Sequence, residues 1–91
     1  MTTTKGKKRV TFVLDEPSAS QVTVCGDFNN WEIARHPMKQ DEEGFWRKIV
    51  MLSPGRYEYK LYVDDQWRCD PANTSKCANQ FGTSNSVIIV D

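Results

Sequence analysis

The chain has 91 residues, with twelve basic and twelve acidic side chains. That length fits one domain with one modest core and leaves little room for a deep, water-excluding enzyme cavity. The cancelling charges leave no net field to recruit nucleic acid or an anionic membrane.

The one basic run, Lys5-Gly6-Lys7-Lys8-Arg9, carries no interleaved aromatics and reads as a solvated tail. Residues 1–7 are expected to be a disordered polar tail before a single domain over residues 8–91. No apolar segment is long enough to span a bilayer, and the N-terminus lacks the apolar core of a signal peptide. The three cysteines, Cys25, Cys69 and Cys77, are odd in number and irregularly spaced, which argues against a disulfide framework. No pair has zinc-ligand spacing and the only histidine is His36, so no metal or cofactor is expected. Cys69 and Cys77 could meet across a loop, but free thiols in a reducing cytoplasm are the expectation. Cys25, inside an apolar run, reads as a small buried hydrophobe.

Arg9 to Leu14 alternates, with Val10, Phe12 and Leu14 on one side, and predicts a first strand. Asp15-Glu16-Pro17-Ser18 is turn chemistry. Gln21 to Cys25 is a second strand, close enough for an antiparallel neighbour. Gly26-Asp27-Phe28-Asn29-Asn30-Trp31 then forms a polar turn, since Asn tolerates left-handed backbone angles. Phe28 belongs in a core. Trp31 is either a core residue that follows a loop or a flat platform for a ring-shaped ligand.

A short edge strand is expected around Pro37 to Lys39, and a turn at Asp41-Glu42-Glu43-Gly44. Phe45 to Leu52 is a strand with Trp46, Val50 and Leu52 in phase and Lys48 as the polar exception. Ser53-Pro54-Gly55 turns the chain into Arg56 to Val63, where Tyr57, Tyr59, Leu61 and Val63 share one face. Glu58, Lys60 and Tyr62 take the other face. Asp64-Asp65 makes a hairpin into Gln66-Trp67-Arg68-Cys69. Asp70 to Ser84 reads as a long polar loop, near the length at which loops are functional or mobile. Val87-Ile88-Ile89-Val90 predicts a buried closing strand within Asn85 to Val90. With no helical periodicity, these elements predict an all-β antiparallel sandwich.

Catalysis lacks its parts. There is no nucleophile elbow, phosphate-cradling loop or metal constellation. The paired carboxylates Asp64-Asp65 and Glu42-Glu43 are adjacent turn residues, and nothing in the sequence signals a cleft between facing carboxyls. The polar face is more informative. Trp31, Lys60, Trp67 and the loop Asn79-Gln80-Phe81-Gly82-Thr83-Ser84-Asn85 combine flat apolar rings with neutral hydrogen-bonding groups. Pyranose rings ask for that combination, because their C–H faces stack on indole and their hydroxyls bond amides, hydroxyls and ammonium. The competing reading has Trp67 and Phe81 merely covering the sandwich edge.

Several motifs recur together and in order: Gly26-Asp27-Phe28-Asn29-Asn30-Trp31; Gly44-Phe45-Trp46; Pro54-Gly55-Arg56-Tyr57 through Asp64-Asp65-Gln66-Trp67; Asp70-Pro71; and Phe81-Gly82-Thr83-Ser84-Asn85. Over about residues 8–90 the chain resembles the glycogen-binding domains of carbohydrate-binding module family 48. Such domains occur in AMP-activated protein kinase beta subunits and at the front of isoamylase and branching enzymes. The resemblance implies an immunoglobulin-like early-set sandwich that binds α-1,4-glucan (glycogen, starch or malto-oligosaccharides) without catalysis. It places the sugar contacts at Trp31, Lys60, Trp67, Phe81, Thr83 and Asn85. Trp31 and Trp67 would stack, and Lys60, Thr83 and Asn85 would bond hydroxyls. Phe81 stands where the kinase subunits carry Leu, and Asp65 replaces the Gly of the usual Val-Asp-Gly turn. The implied partners are an α-glucan and a glycogen-metabolising enzyme or kinase. The alternatives are a protein-interaction or targeting module on the same fold, and an accessory domain of a glycoside hydrolase family 13-type enzyme.

Overall fold

A computed structural model describes residues 6–91. Part of the predicted tail, residues 1–5, lies outside the described residues; Gly6 and Lys7 are exposed and precede the first strand. Eight strands follow: β1 Lys8–Asp15, β2 Val22–Gly26, β3 Lys39–Gln40, β4 Phe45–Leu52, β5 Gly55–Val63, β6 Gln66–Arg68, β7 Lys76–Ala78 and β8 Ser84–Val90. One 3-10 turn, Asp27–Asn29, is the only helical element among the described residues. The expected all-β antiparallel sandwich is present.

One sheet has the order β1-β4-β3, and the other β2-β5-β8-β7 with β6 also on β5. Period-2 alternation sets what each strand buries. Phe12 and Leu14 of β1, beside Trp46, Val50 and Leu52 of β4 in the same sheet, pack with Tyr59, Leu61 and Val63 of β5 from the other sheet into one core, which Val22, Val24, Met38 and Val90 complete. Phe12 meets Tyr59 edge-on at 4.9 Å between ring centroids and stacks on Phe28 at 5.7 Å. Phe28 therefore packs against the core, as its sequence context implies.

β5 organises the sheet that carries the candidate ligand groups. One edge pairs with β2, from Val22↔Val63 to Gly26↔Tyr59. The other edge changes partner along its length. β8 pairs with Gly55 to Tyr59, and β6 pairs with Leu61 to Val63. Lys60 sits at the break between the two.

Five expectations need correction. The first two strands are not antiparallel neighbours: β1 pairs with β4 in one sheet and β2 with β5 in the other, so the turn between them crosses from sheet to sheet. The edge strand lies at Lys39–Gln40 rather than Pro37–Lys39, and Pro37 makes only an isolated bridge to Thr23. The proline lacks the N–H for a ladder bond, and the next backbone N–H, on Met38, donates to Val22 O at 2.8 Å. The stretch Asp70 to Ser84 is not structureless, because β7 forms inside it. The strand β6 stops at Arg68, since Cys69 turns away with its thiol on Ser84 O. The closing strand is buried on one face only: Ser86 and Val90 face the core, whereas Ile89 is 66% exposed. A short apolar run does not by itself distinguish one buried face from two.

The Asp64-Asp65 turn is left-handed at both residues, with φ of 45° and 68°. That is the twist a two-residue hairpin needs. Asp64 Oδ1 accepts backbone N–H bonds from Ser20 and Gln21, each at 2.9 Å, and so ties the hairpin to the chain entering β2.

Candidate functional site

The turn after β2 begins with a steric demand. A Cβ on Gly26 would lie 2.5 Å from Glu58 O and 2.7 Å from Tyr59 Cβ, so only glycine lets β2 approach β5 there. Asn29 then organises the turn. Its side chain is buried, and Oδ1 accepts from Gly26 N at 3.0 Å and Trp31 N at 3.2 Å. Its Nδ2 donates to Val24 O at 3.0 Å and to His36 Nδ1 at 2.8 Å. These bonds hold Asn30 and Trp31 at left-handed φ values of 57° and 60°. That conformation is costly for a bulky side chain and needs such support.

The result lifts the Trp31 indole over the outer face of β5. Its Nε1 donates to Asp27 Oδ1 at 3.2 Å. Trp67 stands beside it from β6, with ring centroids 6.2 Å apart and planes inclined by 61°. Tyr62, directly opposite Trp67 across the strand pair, props that ring at 4.7 Å. Trp31 is half-buried, and Trp67 remains 46% exposed. Cys25 points to this same face opposite Lys60, but the turn covers it; its thiol donates to Glu32 O, and burial pushes its pKa up to about 11.

The third wall is the loop between β7 and β8. Asn79 closes it: N donates to Thr83 O at 2.9 Å, and Oδ1 accepts from Phe81 N at 2.9 Å and Thr83 N at 3.2 Å. Gly82, at φ 80°, makes the bend that puts Phe81 at the tip. Phe81 is 80% exposed, an apolar ring with almost no protein packing.

A chain of hydrogen bonds joins loop to sheet. Lys60 Nζ donates to Thr83 Oγ1 at 3.0 Å, and Asn79 Nδ2 donates to the same oxygen at 2.8 Å. Asn79 Nδ2 also donates to Asn85 Oδ1 at 3.0 Å, and Asn85 Nδ2 donates to Glu58 Oε1 at 3.0 Å. Both lone pairs of Thr83 Oγ1 are thus engaged, which leaves its O–H to donate outward. Lys60 and Asn85 keep spare N–H groups. The Asn85 amide, then the Arg56 guanidinium, hold the Glu58 carboxyl below its ordinary value.

Trp31, Lys60, Trp67, Phe81, Thr83 and Asn85 therefore line one open groove of about 900 Å³. Asp27, Glu58, Asn79 and Gln80 line it too. The sequence reading places Asn79 and Gln80 in the candidate loop without making them sugar contacts, and it missed Asp27 and Glu58, although period 2 places Glu58 on the face of Lys60. It also gave no signal of a groove, which exists because the turn after β2, the strand β6 and the β7–β8 loop rise around the same patch of β5. The groove's two carboxylates are spent internally. Asp27 Oδ2 accepts from Glu58 N at 2.9 Å, and Glu58 Oε2 pairs with Arg56 at 2.9 Å. A general acid needs a raised carboxyl, and Glu58 is lowered.

Residues 8–91 match the family model described as the glycogen recognition site of AMP-activated protein kinase. Among curated relatives, Protein PTST homolog 2, chloroplastic, of Arabidopsis thaliana is 37% identical over 80% of this chain and 13% of its own length. The 1,4-alpha-glucan branching enzyme GlgB of Paraburkholderia xenovorans is 38% identical over 94% of this chain and 12% of its own. Protein FLOURY ENDOSPERM 6, chloroplastic, of Oryza sativa subsp. japonica is 34% identical over 90% of this chain and 15% of its own. The chain thus spans a small part of the relatives it matches. With the match running unbroken from the first strand to the last residue, the chain belongs to the family of glycogen recognition domains of AMP-activated protein kinase.

Proposed function

We propose that the groove binds α-1,4-linked glucan, non-covalently and without cleaving it, through Trp31, Lys60, Trp67, Phe81, Thr83 and Asn85. The observation that carries this reading is the 61° inclination between indoles only 6.2 Å apart. Two sugar rings stacked on inclined platforms must themselves be turned relative to each other. The α-1,4 linkage turns successive glucoses and curves the chain, whereas the β-1,4 linkage gives a flat ribbon suited to coplanar platforms. Phe81 supplies a further apolar contact at the rim, and the donors left on Lys60, Thr83 and Asn85 meet hydroxyls. The 1,4-alpha-glucan named in the GlgB relatives supports the same ligand.

An open surface site recovers little against the cost of ordering a flexible oligosaccharide. Dissociation constants on the order of micromolar to millimolar are expected for short oligomers, with tighter retention on multivalent glycogen. A neutral ligand releases no counterions, so affinity is expected to be flat with salt. The test is calorimetry with maltoheptaose and cellohexaose, beside reducing-sugar release from amylose. Binding of the first alone, with no release above buffer, is expected. Equal binding of both, or a tenfold loss in moderate salt, would count against the curved-glucan reading.

The short span relative to the relatives supports a second element of the proposal. The domain acts as a targeting module that brings a glucan-metabolising enzyme or kinase, attached or separate, to its polymer.

A further inference from the structure

The turn that carries Trp31 is locked from outside by the only histidine of the chain. The Asn29 amide is fixed in orientation by three backbone partners. Gly26 N and Trp31 N require its oxygen, and Val24 O requires its nitrogen. The contact of 2.8 Å between Asn29 Nδ2 and His36 Nδ1 must therefore run from amide to ring. Nδ1 keeps its lone pair, and the proton of the neutral imidazole is on Nε2. From this geometry we infer that His36 is a positioning residue for the Trp31 platform, and that protonating it loosens the turn and weakens ligand binding. The inference rests on the reading of Trp31 as a glucan platform.

A proton on Nδ1 would set two donors against each other at 2.8 Å. Flipping Asn29 does not relieve the conflict. It would offer oxygen to His36 but point N–H groups at Gly26 N and Trp31 N, and leave Val24 O unpaired. The ring also has little room to retreat with its backbone, since His36 O accepts from Val24 N at 3.2 Å and Pro37 bridges to Thr23. Something in the turn must yield. The strained element is the left-handed pair Asn30-Trp31, held by bonds from Trp31 N to Asn29 Oδ1 and Gly26 O.

The surroundings favour the neutral ring. The Phe28 ring packs edge-on at 5.9 Å. Burial first, then the charges of Lys48 from β4 and Arg35 from the same loop, hold His36 below its ordinary value. Glu32, the nearby acid, is engaged with Arg35 at 3.1 Å. The platform is therefore locked at neutral pH and released on acidification. By linkage, glucan that prefers the locked form must lower the His36 pKa by the same factor that acid lowers affinity.

The test uses the whole chain and maltoheptaose. Affinity is measured by calorimetry from about pH 7.5 to about pH 5. The imidazole is titrated by NMR with and without saturating sugar, and a single histidine makes its signals unambiguous. The expected result is a loss of about threefold or more in affinity on acidification, matched by a fall of about 0.5 or more in the His36 midpoint on saturation. His36→Gln can still accept from Asn29 through its amide oxygen and is expected to bind equally at both ends of the range. Flat parental affinity, an imidazole midpoint indifferent to sugar, or the same acid loss in His36→Gln would overturn the inference. Absence of binding at pH 7.5 would instead overturn the glucan reading on which it rests.

Discussion

Trp31 donates its indole N–H to Asp27 Oδ1 at 3.2 Å, and the other oxygen of Asp27 accepts from Glu58 N at 2.9 Å. One carboxylate thus fixes the rotation of the platform and ties it to β5. Asp27→Ala removes both acceptors. A hydrogen bond contributes about 0.5–1.5 kcal/mol net, so a loss of roughly 1 kcal/mol is expected, or about 4–8 °C of melting temperature for a domain this size. Affinity for maltoheptaose should fall on the order of tenfold, because the indole is free to turn. Asp27→Asn keeps one acceptor and should recover part of both losses. Melting and calorimetry on the two variants check this; an Asp27→Ala that binds like the parent shows that the indole needs no such anchor.

The three tryptophans should separate by role. Trp46 is 7% exposed, packs in the core and donates its indole N–H to Glu16 O at 2.9 Å. Truncating such a residue costs about 3–5 kcal/mol, a large share of a small domain's stability. Trp67 is half in solvent and rests on Tyr62. Losing that aromatic pair should cost about 0.5–1.5 kcal/mol. Trp31, half-buried and hydrogen-bonded, falls between. Trp31→Ala and Trp67→Ala should both abolish retention on amylose while still melting cooperatively, whereas Trp46→Ala unfolds or melts far earlier. Melting curves beside column retention decide it, and retention of either surface variant would move the site elsewhere.

The strands were legible because their physics is local. Phe12 and Leu14, or Tyr59, Leu61 and Val63, announce a buried face by alternation alone. Lys60, Trp67 and Thr83 were legible as site residues through residue type and motif order. What the sequence could not display is how separate turns meet. Asn79 looks like one more loop amide, yet it makes side-chain bonds to four groups, the backbone N–H groups of Phe81 and Thr83 and the side chains of Thr83 and Asn85. Asp27 and Glu58 are ordinary surface acids until the register Gly26↔Tyr59 sets them side by side. The strand at Lys76–Ala78 was hidden for a related reason. Its pairing with β8 is a tertiary event, and its own three residues carry too weak a propensity to signal it.

Acid should reduce stability in two separable steps. His36 is held below its ordinary value of about 6.5, so the unfolded chain binds its proton first. The His36 contribution is whole above pH 6.5 and is lost as pH falls from there toward the depressed folded value. Glu58 is also depressed, by the Asn85 amide and then by Arg56. Its contribution is present above its unfolded value and disappears as pH drops through the lower folded one. Exposure keeps the Glu58 step small. Melting temperatures measured from pH 8 to pH 3 should therefore decline first near pH 6 and again below about pH 4. His36→Gln should flatten the upper step and leave the lower one. A parental profile flat between pH 7 and pH 5 would show that the His36–Asn29 bond adds nothing to stability.

Two tyrosines on one face of β5 offer a contrast in what a hydroxyl does. Tyr59 is fully buried and donates to Asp70 Oδ2 at 2.7 Å, while Asn73 Nδ2 donates to the Tyr59 oxygen at 3.1 Å. Asp70 is itself buried; its N donates to Ser86 Oγ at 2.9 Å, and its Oδ1 accepts from Ala72 N at 3.0 Å. Asn73 in turn reaches Val87 O at 2.8 Å. This network anchors the chain where it leaves β6 on the way to β7 and the rim loop. Tyr59→Phe leaves a buried carboxylate short of a donor, which costs about 1–3 kcal/mol. Tyr57 donates to Ser53 O at 2.7 Å across an exposed turn, where water can replace the lost partner. Tyr57→Phe should stay within about 0.5 kcal/mol. Because the network bonds Ser86 and Val87 of β8, the strand that follows the rim loop, Tyr59→Phe should also speed amide exchange at Phe81 and Thr83 and weaken glucan binding, and Tyr57→Phe should do neither. Equal melting shifts for the two variants, or unchanged exchange at Phe81 in Tyr59→Phe, would show that the rim loop holds itself through Asn79 alone.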